Sequence, residues 1–327
     1  MALDLRPVVK PNDFALPYHP TKILIGYNVH DKLVAYLRER RDDLDYRSKP
    51  FMDVTNADLA WAEVFVGFRR PPVTDWGSVQ WIHSVGAGVD AFLFRAQLPQ
   101  NVLVTRTSEP FGPQIAEYCL TRALMFTQQV RALECSQQAR KWEPLFIETL
   151  AGTCAVIVGT GEIGSEIAKR FRAMGCRLEG VSRSGNANDA FDATHRIKDL
   201  ASVATRAKWL ICALPLTEDT FHLVDRVVLD ACREAVLINV GRGPVVDEAA
   251  LIEALDGKRL HGAALDVFEV EPLPEDSPLW KHERVIASPH IAGLTTTAGA
   301  GDGFLECLQA LEQGKLPRWT VDRARGY

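Results

Sequence analysis

The sequence predicts an α/β protein built from two doubly wound parallel-sheet domains. Three observations predict it. Short apolar runs alternate with amphipathic stretches along both halves of the chain. A glycine-rich turn joins one such run to a helix-like stretch near the middle, and an arginine, a glutamate and a histidine, suited to gripping an acid and moving a proton, follow later runs. Alternating strand and helix signals imply parallel strands with helices on both faces.

The bulk properties suit this reading. The chain has 327 residues, 47% hydrophobic and 24% charged, which is an ordinary globular balance and long for one core. A net charge of −5 with no basic tract argues against nucleic acid or an anionic membrane as the main partner. No apolar run is long enough to span a bilayer, and the arm "MALDLRPVVKPNDFALPYHP" lacks the apolar core of a secretory signal. Seven scattered cysteines, at 119, 135, 154, 176, 212, 232 and 307, show no metal-ligand spacing. They are expected to be buried free thiols in a reducing compartment, so a cytoplasmic protein with no bound metal.

In the first part, "KILIGY" (22–27), "EVFVGF" (63–68), "VQWIHSV" (79–85) and "NVLVTR" (101–106) read as strands. "HDKLVAYLRERRDDL" spaces its apolar residues along one helix face. After "RTSEPFGP" a helical pattern runs from about Gln114 to Arg140, long enough for a connector between two bodies. Strands are then expected at 154–158, 177–181, 209–213, 236–239, 261–265 and 285–287. A helix at 162–174 places Ile163, Ile167, Phe171 and Met174 on one face, and a last helix falls at about 298–314. The first domain is expected at 1–106 completed by 293–327, and the second at 107–292.

"CAVIVGTGEIGSEIAKRFRAMG" places Gly159, Gly161 and Gly164 in G-x-G-x-x-G spacing between a strand and a helix. That context marks a Rossmann dinucleotide site. The glycines allow a tight turn, and the helix N-terminus favours the pyrophosphate. The next strand ends in "GVSRSG", with Ser182 where an NAD site usually has Asp or Glu, and Arg183 after it. Serine and arginine suit a ribose 2′-phosphate, which a carboxylate would repel, so NADPH is the expected cofactor and NADH a weaker one. The other reading of Arg183 is an exposed charge on a turn.

Arg242 sits between two glycines in "NVGRGPVVDEAAL", just past a strand. Glu271 stands before a proline in "ALDVFEVEPL", and His290 follows the last strand in "SPHIAG". Ligands of open α/β sheets bind at the carboxyl ends of strands. There a guanidinium can grip a carboxylate and an imidazolium can give up a proton near neutral pH. Each residue alone also reads as a surface charge or a loop histidine; their shared position favours function.

"GTGEIG", "LPLTEDT", "NVGRGPVVDEAAL", "GAALDVFEVEPL" and "SPHIAG", with "VGAGVD" (85–90) and "QIAEYCL" (114–120), resemble the D-isomer-specific 2-hydroxyacid dehydrogenases. "WIHSVGAGVD", "KWEPL", "VSRS", "EDSPLW" and "VDRARGY" look most like the glyoxylate/hydroxypyruvate reductase A branch. The resemblance implies a flavodoxin-like substrate domain, a Rossmann cofactor domain and a cleft between them. It implies that NADPH reduces a small 2-oxo acid, with His290 as the proton donor, Glu271 fixing its tautomer and raising its pKa, and Arg242 holding the substrate. Backbone groups at Ala87 and Gly88 would assist Arg242. Around the cofactor it places Gly159, Thr160, Gly161, Glu162, Ile163, Gly164, Ser182, Arg183, Ser184, Leu214, Pro215, Val240, Arg242 and His290. Asp266 would bind the nicotinamide carboxamide. Trp142 matches a tryptophan that approaches a partner subunit's pocket, and the connector helix matches a dimer surface, so a homodimer is expected.

The chain departs from the pattern in its long N-terminal arm and in Glu162, a carboxylate inside the glycine loop. Glu271 argues against formate dehydrogenase chemistry, where glutamine stands, and no regulatory domain is expected after residue 327. Two alternatives stay open: a corepressor-like protein that senses the dinucleotide, and a dehydrogenase of a bulkier 2-oxo acid.

Overall fold

The computed structural model describes residues 14–327 apart from Thr74 and Ser108, so the first thirteen residues of the N-terminal arm lie outside the described residues. Two compact units divide the chain. One is formed by Met1–Glu109, as far as it is described, with Thr295–Tyr327, and the other by Pro110–Leu294.

The first unit opens with β1 (Lys22–Gly26), α1 (His30–Arg38), β2 (Asp45–Lys49), α2 (Asn56–Trp61) and β3 (Val64–Gly67). Then come β4 (Trp81–Ser84), α3 (Asp90–Leu93) and β5 (Leu103–Arg106). The second unit runs through α4 (Phe111–Thr127), α5 (Val130–Gln138), β6 (Cys154–Val158), α6 (Glu162–Ala173), β7 (Arg177–Ser182) and β8 (Ala193–Arg196). It continues with α7 (Leu200–Ala204), β9 (Trp209–Cys212), α8 (Arg226–Ala231), β10 (Ala235–Asn239), α9 (Glu248–Asp256), β11 (Leu260–Leu265) and β12 (Val285–Ala287). The last helix, α10 (Thr297–Glu312), returns to the first unit.

All strand pairs are parallel. The first sheet has the order β2-β1-β3-β4-β5 and the second β12-β11-β10-β9-β6-β7-β8. Side chains alternate across a strand, so a buried strand must be apolar on both faces. In the first unit Ile23, Ile25, Val64, Val66 and Trp81 face a core shared with Leu33 and Leu37 of α1 and with Phe304, Leu308 and Leu311 of α10. The intervening Leu24, Phe65 and Ile82 face a second core with Leu59 of α2 and Phe92 of α3. Burying each such Leu or Phe contributes roughly 1.5–3 kcal/mol, so α10 is part of this core rather than an appendage.

In the second unit Val156, Val158, Leu210, Cys212, Leu237 and Leu265 meet residues of α7, α8 and α9. Ile157 and Ile211 alternate with these on their strands and are also buried, as are Ile167 and Phe171 of α6. The expected helix over 114–140 is two helices. Gln129 adopts a left-handed conformation (φ 48°) and breaks the chain between α4 and α5. Six cysteines are buried or partly buried, but Cys135, on α5, is exposed, contrary to the expectation that all would be buried; all seven are free. No helix among the described residues is long and apolar enough to cross a membrane.

Candidate active site

The second sheet reverses its strand order beside β6, where α6 begins. Gly159 holds φ at +110°, a region closed to most side chains, and its N–H donates to Val181 O at 2.8 Å. A Cβ on Gly164 would lie 1.8 Å from Gly159 O, so α6 packs directly on the turn. At Gly161, the N-cap, a Cβ would meet nothing within 4 Å, and no side chain caps the helix. Open space therefore faces the uncapped first turn of a twelve-residue helix, a fit for the pyrophosphate of a dinucleotide. Thr160 and Ile163 are half-buried around it, and the carboxylate-bearing Glu162 is exposed. Ser182 ends the adjacent strand β7; Arg183 and Ser184 follow it and are exposed.

Arg242 follows β10. The amide of Asn239 donates to Arg242 O at 3.0 Å, and Arg242 Nη1 donates to Gly241 O at 2.8 Å. Gly243 fixes the next turn: a Cβ there would fall 1.8 Å from Phe268 C, on the loop that carries Glu271. Val240 donates its N–H to Cys212 O, and Leu214 lies against the glycine turn, with Cδ2 3.2 Å from where a Gly159 Cβ would be. Pro215 follows Leu214, and its carbonyl accepts from Thr220 Oγ1 at 2.7 Å.

Glu271 and His290 form the centre of the site. His290 Nδ1 lies 2.9 Å from Glu271 Oε2, with both side chains only partly exposed. A carboxylate only accepts, so Nδ1 is the donor in this bond. Glu271 Oε1 accepts from Phe268 N–H at 3.2 Å, which holds the carboxylate in place.

Asp266 has a visible structural task. Its Oδ1 accepts from Ser288 Oγ and Ile291 N–H and its Oδ2 from Ala292 N–H, at 2.7, 3.0 and 2.8 Å. His290 N–H donates to Asp266 O at 2.8 Å, so the loop is tied to β11 on both sides of the imidazole. Since Ser288 gives its proton to Asp266, Tyr118 of α4 donates to Ser288 Oγ at 2.5 Å. Burial pushes the Tyr118 hydroxyl pKa up, which keeps it a donor.

A family model for the NAD binding domain of D-isomer specific 2-hydroxyacid dehydrogenases matches residues 120–292. The chain belongs to this family. Glyoxylate/hydroxypyruvate reductase A of Salmonella paratyphi B is 34% identical over 253 residues, which cover 75% of this chain and 81% of the relative. Among solved structures, a D-isomer specific 2-hydroxyacid dehydrogenase from Xanthobacter autotrophicus Py2, in complex with NADPH and MES, has a TM-score of 0.82 at 29% identity. The similarity covers 94% of this chain and 100% of that one. An NADPH-dependent glyoxylate/hydroxypyruvate reductase from Sinorhizobium meliloti, in complex with NADP and sulfate, has a TM-score of 0.79 at 25% identity, with the same coverage.

Not every residue singled out in the dehydrogenase's sequence gathers in this unit. Ala87 and Gly88 belong to the other unit, after β4, where Ser84 Oγ donates to Gly88 O at 2.7 Å. Trp142 is in the second unit but 99% exposed. Sequence reading also missed a brace behind Glu271. His222 Nε2 donates to Glu269 Oε1 at 2.8 Å, and Glu248 and Glu269 exchange backbone-to-carboxylate bonds at 3.2 and 2.7 Å. Burial, with the charges of Glu269 and Glu271, pushes the Glu248 carboxyl pKa up. "TFHLVD" carries no periodic signal for this brace; only the return of β11 beside β10 brings its parts together.

Proposed function

We propose that this dehydrogenase uses NADPH to reduce a small 2-oxo acid of the glyoxylate or hydroxypyruvate type to the 2-hydroxy acid. The observation that carries the proposal is the 2.9 Å His290–Glu271 pair, set one strand-end loop from Arg242. The bound dinucleotide supplies the hydride. Arg242 holds the substrate carboxylate through paired charge-assisted hydrogen bonds. His290 delivers the Nε2 proton to the carbonyl oxygen, and Glu271 stabilises the imidazolium beforehand and keeps its ring oriented. Leu214, Pro215 and Val240 wall the cofactor, while Asp266 acts through the His290 loop that it anchors.

The preference for NADPH is supported by Ser182 and Arg183 at the end of β7 and by the NADPH and NADP in the two solved relatives. Assembly as a homodimer is supported by α5, which buries no residue, and by Trp142, Phe146 and Ile147 beyond it, 99%, 82% and 51% exposed. A cytoplasmic site fits the seven free thiols.

The test is dinucleotide oxidation followed with glyoxylate, hydroxypyruvate, pyruvate and phenylpyruvate. Fast turnover of the first two, with kcat/KM for NADPH above that for NADH, is expected. No oxidation with any of them overturns the reaction, and a preference for phenylpyruvate overturns the substrate class. Sedimentation should give twice the chain mass of 36.3 kDa, and a Trp142→Ala, Phe146→Ala double variant should shift it toward monomer.

A further inference from the structure

The edge strand β8 carries a cation beside the end of β7 and the glycine turn. In the parallel β7–β8 pair, Gly180 aligns with Thr194 and Ser182 with Arg196. Aligned residues of neighbouring strands face the same side, as do residues two apart. Thr160 of the glycine turn identifies that side, since a Cβ on Gly180 would lie 2.7 Å from Thr160 Cγ2. His195 takes the opposite face, where its Nε2 meets Glu179 at 3.1 Å. Arg196 and Ser182 therefore leave their strands at the same edge and on the face covered by the glycine turn.

The loop between the two strands is built around the Arg196 stem. Gly185, at φ +67°, packs so closely that a Cβ there would sit 2.8 Å from Arg196 Cγ. Gly185 N–H donates to Ser182 Oγ at 3.1 Å, Thr194 Oγ1 donates to Gly185 O at 3.2 Å, and Asn188 ties the loop to Thr160 O at 2.9 Å. With its oxygen accepting from Gly185, the Ser182 hydroxyl has its proton to give. The Arg196 side chain is exposed and makes no ion pair among the described residues. Asp192, four positions earlier, is turned to Arg172 and to Leu178 N–H, at 2.6 and 2.8 Å, and does not neutralise it.

We propose that Arg196 is a second guanidinium for the ribose 2′-phosphate, acting with Ser182 and Arg183 to set the preference for NADPH over NADH. A phosphate monoester presents nearly two charges and three acceptor oxygens, more than one arginine fork satisfies. A 2′-hydroxyl offers neither, so the contact discriminates rather than binding both cofactors alike. The inference rests on the NADPH reading above and deepens it.

Calorimetric titration of NADP⁺ and NAD⁺ against the wild type and Arg196→Gln tests it, without turnover. The variant should bind NADP⁺ about 10–10²-fold more weakly and NAD⁺ within about twofold of wild type. Wild type binding NADP⁺ no tighter than NAD⁺ overturns the NADPH reading and this inference with it. A wild-type preference that Arg196→Gln leaves intact overturns the role of Arg196 alone. Equal weakening of both cofactors also overturns it, because that marks damage to the loop rather than loss of a phosphate contact. 2′-AMP against 5′-AMP as the titrant should repeat the contrast.

Discussion

Two histidines in this chain sit beside strand ends in opposite chemical settings. His83 lies in β4 of the first unit, fully buried, with Nδ1 2.8 Å from Thr105 Oγ1 and Nε2 3.0 Å from Thr107 Oγ1. Trp81 Nε1 donates to the same Thr105 hydroxyl, and Phe304 of α10 stacks on Trp81. Hydroxyls satisfy either tautomer but offer no charge to balance an imidazolium, and burial pushes the His83 pKa down to about 3. His290 is partly exposed and meets a carboxylate. A histidine ringed by hydroxyls is built to stay neutral, whereas His290 has a carboxylate to accept from its ring N–H.

Exchanging these settings should produce opposite losses. His290→Ala is expected to lower kcat by about 10²–10⁴-fold while leaving NADPH binding and the thermal midpoint near wild type. Stopped-flow turnover and cofactor titration check it, and wild-type kcat would end the proton-donor role. Arg242→Ala should reduce kcat/KM for the 2-oxo acid by about 10–10²-fold, through lost carboxylate bonds, with the dinucleotide Kd little changed. Steady-state kinetics at saturating NADPH separates the two.

Glu271→Gln keeps the shape but removes the charge facing His290. It should lower kcat by about tenfold or more, with the dinucleotide Kd little changed. Wild-type kcat counts against the pairing.

His83→Leu should do the converse, costing about 1–3 kcal/mol of stability with kcat per folded molecule unchanged. The pH dependence follows the same contrast. The unfolded chain protonates His83 near pH 6.5 and the folded chain only near 3. Stability from this site is therefore complete above pH 6.5 and falls as the pH drops toward 3, with a slope of at most about 1.4 kcal/mol per pH unit. Glu179 adds to the acid loss at lower pH. Burial raises its pKa, but Arg206, Arg177 and His195 together lower it further, to a net value below the ordinary 4.5. Its contribution is present above 4.5 and lost as the pH falls through the lowered value. Urea titrations from pH 7 to 4 should show a smaller loss in His83→Leu than in wild type.

What the sequence made legible divides along physical lines. Central strands such as β6 and β10 were readable because burial on both faces demands continuous apolar runs. The edge strands β2 ("DYRSK") and β8 ("ATHR") were not, since one side of each is open and their residues are polar. Missing β8 hid Arg196. The break at Gln129 was invisible because no proline or glycine marks it. The positions of Arg242, Glu271 and His290 just past strands were readable, because the apolar runs before them mark the strand ends. The hydrogen bonds that Asp266 makes across more than twenty residues could not, because they exist only once β11 and β12 lie side by side.

The placement of α10 has a consequence for how the molecule is made. Residues 110–294 form one continuous unit, whereas the first unit takes Phe304, Leu308 and Leu311 from the far end of the chain. On the ribosome, the unit translated second has all its residues in hand before the unit translated first does. The core of the first unit can therefore be completed only after every residue of the second has been made. The N-terminal segment must wait, with part of its apolar face uncovered, until the last helix emerges to close it.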